Sequence, residues 1–226
     1  MKKQAFRAAF PYTLPVLMGY LFLGIAFGVL LSEKGFSLPW ALFMSAVIYA
    51  GSMQFAAIGL LTAAFAPLSA FFLTLMVNAR HLFYGLSMLE PFRKMGRLKP
   101  YMVFSLTDET YSLLCGIRPP ENVDQKWFTF FIALLDQSYW IIGSCIGAVA
   151  GSLIPFDSTG IDFAMTALFL VIFVEQWENA ESKLPALLGI GITVTCLLVF
   201  GPDRFLIFSM AGILAALLLF KKEVQP

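Results

Sequence analysis

Four short polar groups interrupt the long apolar stretches of this 226-residue chain, and they hold the residue types that could do chemistry. They are Gly51-Ser52-Met53-Gln54-Phe55, Asn78-Ala79-Arg80-His81, Thr107-Asp108-Glu109-Thr110 and Asp136-Gln137. An ionisable side chain at the centre of a membrane helix costs about 2.5–3.5 kcal/mol on insertion scales, so it persists only when paired, wetted or used. Arg80 lies nine residues from the end of its apolar segment. At ~1.5 Å per residue its backbone is ~13 Å deep, a long way to snorkel. It therefore faces protein, a cavity or a partner carboxylate, and it suits either a substrate carboxylate or an internal Asp. His81, the single histidine, could relay protons or simply hydrogen-bond in a core.

Asp108 and Glu109 are adjacent, and neighbouring residues of a regular helix point in different directions. Either one of the pair faces a cavity while the other pairs elsewhere, or the helix is broken here. A break would make Thr107 or Asp108 the cap of a new helix start. At Gly51-Ser52-Met53-Gln54 the glycine permits an unwound backbone, while Ser52 and Gln54 offer hydrogen bonds to a ligand or to the freed backbone. Unwound points of this kind hold substrate in many transporters; close packing through small residues is the plainer explanation. Asp136 is deep in its segment and is the better proton-carrier candidate, whereas Glu175-Gln176 could simply mark a membrane exit. Gly24-x-x-x-Gly28 and Gly143-x-x-x-Gly147-x-x-x-Gly151 form small-residue ridges suited to helix contact.

The elements that must position these groups are membrane helices. The chain is 59% hydrophobic and 13% charged, against roughly half and a quarter in soluble domains. The net charge of +1 gives no reason to expect nucleic acid as a partner. Nothing in the sequence asks for a cofactor or a metal, and Cys115, Cys145 and Cys196 read as small buried hydrophobes without CxxC spacing. Eight apolar segments are expected: Phe10–Leu31, Pro39–Ala64, Leu68–Leu89, Tyr101–Gly116, Trp127–Ile154, Phe163–Glu175, Leu184–Phe200 and Phe205–Phe220. The first is too long for a signal-peptide core, so it reads as a retained span. The runs are continuous rather than alternating, which predicts an all-α polytopic protein and not a barrel.

Basic residues sort these segments by side. If all eight cross, Arg93, Lys94, Arg97 and Lys99 fall outside with Lys34 and Arg204. If one segment between Pro39 and Leu89 dips in and returns, and Tyr101–Gly116 does likewise, only Lys34 and Arg204 remain outside. The sequence thus favours six crossings and two broken or re-entrant segments, with both termini cytoplasmic, in one transmembrane domain over residues 1–226. An echo between Gly24…Gln54 and Gly143…Gln176 raises an internal repeat with halves near 10–116 and 127–220.

Taken in order, the motifs resemble a known family. Pro11-Tyr12…Pro15, Gly19-Tyr20, Gly24, Phe27-Gly28, Gly51-Ser52-Met53-Gln54-Phe55, Asn78-Ala79-Arg80-His81, Thr107-Asp108-Glu109 and Asp136-Gln137-Ser138-Tyr139-Trp140 come in the order seen in AzlC-type proteins. These are the large subunits of bacterial branched-chain amino acid exporters. Met53 stands where that pattern usually has serine, and Ala79 where it often has leucine. The resemblance implies an inner-membrane transporter exporting leucine, isoleucine, valine or analogues, driven by the proton motive force. It also implies a small AzlD-type membrane partner.

The residues fit that expectation. A substrate carboxylate would meet Arg80 or a broken-helix start near Gly51, Ser52 and Gln54, with Asn78 beside it. The ammonium would meet Asp108 or Asp136. Proton coupling would fall to Asp108, Glu109, Asp136 or His81. An intramembrane enzyme is the rival class, but no Ser/His/Asp set, HExxH or paired-carboxylate spacing supports it. A channel-like pore is the other alternative.

Overall fold

The computed structural model describes residues 2–62, 67–153, 182–201 and 205–219, with scattered positions between 163 and 178. The sixth segment and the Glu175-Gln176 pair lie largely or wholly outside them, and with the pair goes the Gln176 end of the sequence echo. The chain divides into two compact units, Met1–Met165 and Thr166–Pro226. Among the described residues every regular element is helical.

The first unit is organised around two long helices, α1 (Lys2–Glu33) and α8 (Gln125–Leu153). Both are long and apolar enough to cross a bilayer. They run parallel. Lys2 Nζ sits 4.1 Å over the Trp127 ring, Phe6 packs edge-on against Phe131, and Thr13 Oγ1 lies 3.0 Å from Tyr139 Oη. Further along, the two glycine ridges interlock. A Cβ on Gly24 would lie 3.0 Å from Ser144 N, and one on Gly143 would lie 2.9 Å from the Tyr20 carbonyl oxygen. Added to Gly28 or Gly147, it would run into the Ser144 or Ile25 carbonyl oxygen. The ridges therefore do what their spacing predicts, letting two backbones touch.

Between these helices the chain makes two broken hairpins and one through-running helix. From the end of α1 it turns into α2 (Leu38–Phe43) and a π-helical turn, Met44–Ile48. This turn ends at Tyr49, which is left-handed at φ 44°. The Ala46 carbonyl oxygen accepts from Gln137 Nε2 of α8 at 3.2 Å. Helix α3 (Gly51–Thr62) then turns back toward the C-terminal end of α1. Gly51 and Gln54 lie against Trp140, and Phe55 lies on Phe27, seven residues beyond Tyr20.

Helix α4 (Pro67–Ser87) runs antiparallel to α3 and, at 21 residues, continues well past it. Arg80 meets Ser52 near its middle, and beyond its end Met88 packs with Ala133. After α5 (Leu89–Arg93) and a 3-10 turn at Gly96–Leu98, α6 (Lys99–Phe104) starts beside Lys126 and rises along α8. Its Tyr101 hydroxyl donates to Gln137 Oε1 at 2.8 Å, and Phe104 reaches Tyr49. The chain breaks at Ser105-Leu106-Thr107, and α7 (Asp108–Gly116) begins.

Helix α7 must descend. Thr110 is bonded to Asp136, eleven residues and about 16 Å above the start of α8. Past the Asp108 that pairs with Arg80, Tyr111 stacks on Tyr84 at 4.5 Å, a turn further along the descending α4. The two hairpins thus enter from opposite ends and meet at mid-height. A full-length helix followed by a broken hairpin occurs twice, α1 with α2–α3 and α4 with α6–α7, in opposite directions. That is the layout of inverted-topology repeats, at a shorter period than the sequence echo suggests.

The outer surface is apolar. Met18 and Phe22 on α1 are 72% and 71% exposed, and Leu82, Phe83 and Leu86 line an open face of α4. Exposed apolar side chains in such numbers belong against lipid. The first helix starts eight residues before the segment expected from hydropathy, because Lys2, Lys3 and Arg7 sit in its opening turns rather than before it. The three cysteines are free, and they depart from expectation only in burial, with Cys115 exposed and Cys145 and Cys196 half-buried. A thiol is as well accommodated on a lipid-facing surface as in a core. In the second unit α9 (Leu184–Phe200) and α10 (Phe205–Leu219) pack together, with Gly212 against Ile192.

Candidate functional site

Two half-helix starts and one through-running helix converge at mid-height. Arg80 joins them: its Nη1 lies 2.9 Å from Asp108 Oδ2, and its Nη2 donates to Ser52 Oγ at 2.8 Å. One guanidinium thus bridges the first residue of α7 and the first turn of α3. The planar fork suits this, because two nitrogens serve two partners at fixed spacing. The local sequence explains the geometry. Thr107 is extended (φ −95°, ψ 176°) and caps α7, its Oγ1 accepting from the Thr110 amide at 3.3 Å. Asp108 follows as the first helical residue, where a negative charge meets the positive end of the helix dipole. Of the two arrangements open for Asp108 and Glu109, the broken helix is the one observed. The Arg80 and Asp108 side chains keep 27% and 22% of their exposure, so the pair is sheltered without being sealed.

Glu109 points the other way, toward α1. Its Oε2 lies 2.7 Å from Tyr20 Oη, which is also 2.7 Å from Thr107 Oγ1. Thr107 Oγ1 lies 3.1 Å from Thr110 Oγ1, and the latter donates to Asp136 Oδ2 at 2.7 Å. Asp136 is fully buried, and its Oδ1 has no hydrogen-bond partner.

Gln54 forms a third group. It is fully buried, its Oε1 accepting from Trp140 Nε1 at 2.9 Å and its Nε2 donating to Ser45 Oγ at 3.3 Å. It ties α3, the π-helical turn and α8 together. Gly51 has its own reason to be glycine, since a Cβ there would lie 3.1 Å from the Trp140 ring. Trp140→Phe should therefore strand Gln54 Oε1, costing about 1–3 kcal/mol. A drop in the thermal midpoint of the purified protein, largely restored by adding Gln54→Leu, is the expected outcome.

The structure thus gathers Ser52, Arg80 and Asp108 in one group, and Glu109 and Asp136 in a second that adjoins it. Asn78 is half-buried on α4, and His81 is half-buried with its ring against Tyr84 at 5.9 Å. Neither hydrogen-bonds to the Arg80–Asp108 pair. Tyr20, Thr107 and Thr110 were not singled out as site residues by sequence reasoning. The available signal was Gly19-Tyr20, a phenol in the middle of an otherwise apolar span.

An apolar shell around a polar centre, assembled where broken helices meet, defines a helical membrane protein with the layout of a carrier. The chain belongs to the AzlC family: the family's sequence model, described as AzlC protein, matches residues 15–154. It is 48% identical over 221 residues to the "Branched-chain amino acid transport protein AzlC" of Bacillus subtilis (strain 168), covering 98% of this chain and 87% of that one. It is 45% identical over 222 residues to an "Uncharacterized membrane protein" of Helicobacter pylori (strain ATCC 700392 / 26695), covering 98% and 97%. It is 27% identical over 214 residues to the "Inner membrane protein YgaZ" of Escherichia coli (strain K12), covering 91% and 87%. No solved structure matches it. The family resemblance read from the motifs is borne out, and the relative with a stated activity is a transport protein, not an enzyme.

Proposed function

We propose that this chain is the large subunit of an exporter of branched-chain amino acids, leucine, isoleucine, valine or close analogues, driven by the proton motive force. The observation behind the reading is the Arg80–Asp108 pair at the junction of two half-helix starts. A zwitterionic head group brings the same two charges, so it can insert between the partners: its carboxylate takes Arg80, Ser52 and the α3 start at Gly51, and its ammonium takes Asp108. Asn78 stands about 200° around α4 from Arg80 and so does not share the face that meets the head group. The surrounding apolar side chains suit an aliphatic tail. The name of the Bacillus subtilis relative agrees with this substrate class.

In this reading α1, α4 and α8 cross a bacterial inner membrane and the two hairpins are re-entrant. Lys2, Lys3 and Arg7 share one end of the first unit with Arg93, Lys94, Arg97, Lys99 and Lys126. By the positive-inside tendency that end is cytoplasmic. The C-terminus is assigned to the same side. A small AzlD-type membrane subunit completes the transporter. The test is efflux of preloaded radiolabelled valine, leucine and methionine from cells with and without the gene pair. Faster valine and leucine efflux, abolished by a protonophore, is expected. Equal efflux in both strains overturns the reading.

A further inference from the structure

Two carboxyl groups, the half-buried Glu109 and the fully buried Asp136, stand on different helices with three hydroxyls between them. The contacts run Glu109–Tyr20 at 2.7 Å, Tyr20–Thr107 at 2.7 Å, Thr107–Thr110 at 3.1 Å and Thr110–Asp136 at 2.7 Å. Every link is within hydrogen-bond distance. Each hydroxyl has one proton to give and lone pairs to receive with. Tyr20 is the telling member. It has a single O–H, yet it lies equally close to Glu109 and to Thr107, so it can donate to only one of them at a time. The two choices are the two settings of a chain that reverses as a unit. A second observation stands at the far end: Asp136 is fully buried and one of its oxygens has no partner. Two carboxylates on one such chain, one of them fully buried, would suffer desolvation and mutual repulsion, which one shared proton relieves.

We propose that Glu109 and Asp136 exchange one proton through the hydroxyls of Tyr20, Thr107 and Thr110. In one setting Glu109 is protonated and donates to Tyr20, Tyr20 to Thr107, Thr107 to Thr110, and Thr110 to the Asp136 carboxylate. Transfer shifts one proton along each bond. Glu109 ends as a carboxylate accepting from Tyr20, and Asp136 ends protonated and donating to Thr110. One O–H bond forms at each atom that loses one, Glu109 and Asp136 excepted, so no net charge appears on any hydroxyl. Other titratable or charged groups face the relay. Arg80 and Asp108 adjoin Glu109, Tyr49 faces Tyr20 and Glu109 as well as Asp136, and Tyr101 and Tyr139 face Asp136. Asp108 is the link to cargo: it is covalently next to Glu109 and ion-paired to Arg80, so an ammonium arriving at Asp108 changes the field at the relay's entrance.

The relay takes its purpose from the transport reading, but its test does not depend on transport alone. Infrared difference spectra of the lipid-reconstituted full chain across a pH step should show protonated-carboxyl bands, assigned by their loss in Glu109→Gln and Asp136→Asn. In the wild type these two bands should change together, one gaining as the other loses. In Tyr20→Phe and Thr110→Val they should change independently, and Thr110→Ser should restore the linkage. In valine assays the same two variants should retain counterflow exchange and lose stimulation by a pH gradient, with Thr110→Ser again restoring it. Independent bands in the wild type overturn the relay, as does full gradient stimulation in Thr110→Val or a requirement for sodium at constant pH. Linked bands in a wild type that moves no valine would keep the relay and remove the transport reading.

Discussion

Arg80→Ala is expected to abolish valine efflux and to lower the stability of the purified protein by about 3 kcal/mol, the scale for stranding one member of a sheltered ion pair. The replacement removes two contacts at once, leaving Asp108 Oδ2 without its 2.9 Å partner and Ser52 Oγ without its 2.8 Å donor. Arg80→Lys should restore some stability and little transport. A single ammonium lacks the rigid fork that holds two half-helix starts at a fixed separation. The double variant Arg80→Ala with Asp108→Asn separates the two roles. It removes both charges, so much of the stability should return while efflux stays at background. Thermal unfolding beside the efflux assay reads both outcomes. Wild-type efflux from Arg80→Ala would remove this residue from the transport site.

The second large effect lies away from the polar centre. Gly28→Leu or Gly147→Leu is expected to prevent accumulation of folded protein, because each new side chain meets a carbonyl oxygen of the opposite backbone. Overpacking in a well-filled core typically costs about 1–3 kcal/mol. Here there is no side chain to rotate aside, so the cost should reach or exceed the upper end. Gly19→Ala and Gly85→Ala are the controls: nothing lies within 4 Å of a Cβ at either position, and both should accumulate normally. The yield of monodisperse protein by fluorescence-detected size exclusion measures the contrast. Normal yields from both leucine variants would mean that the α1–α8 contact is looser than the distances say.

Much of this arrangement is legible in the sequence, for physical reasons that differ by residue. The depth of Arg80 follows from counting, because charge in lipid is costly wherever the helix ends. The break at Thr107-Asp108 is one of the two arrangements that adjacent acids leave open, and a threonine ahead of an acidic first turn is a start signal. The glycine ridges follow from their spacing of four. Other features do not follow. Whether Tyr101–Gly116 turns back depends on which way α7 runs, and that is decided by a contact between distant residues, Tyr111 stacked on Tyr84. Gln54 looks like a ligand-binding side chain in a broken helix, yet both ends of its amide are taken by Trp140 and Ser45, and Trp140 lies 86 positions away. Tyr20, Thr107 and Thr110 form one row only because α1 and α8, parallel to each other, both flank the start of α7. No local pattern announces a contact over such separations.

The glycine seam between α1 and α8 also limits how the protein can move. Sliding or rolling of packed helices relies on side chains that can change rotamer at the contact, and here the two main chains abut with almost nothing between them. These helices therefore behave as one stiff post. Any exchange of access from one face of the membrane to the other must come from the pieces leaning on that post: α4, α3 and α7, whose inner ends are held together through a single arginine. Cargo that takes Arg80 from its partners would release the short rods from each other and leave the post unmoved.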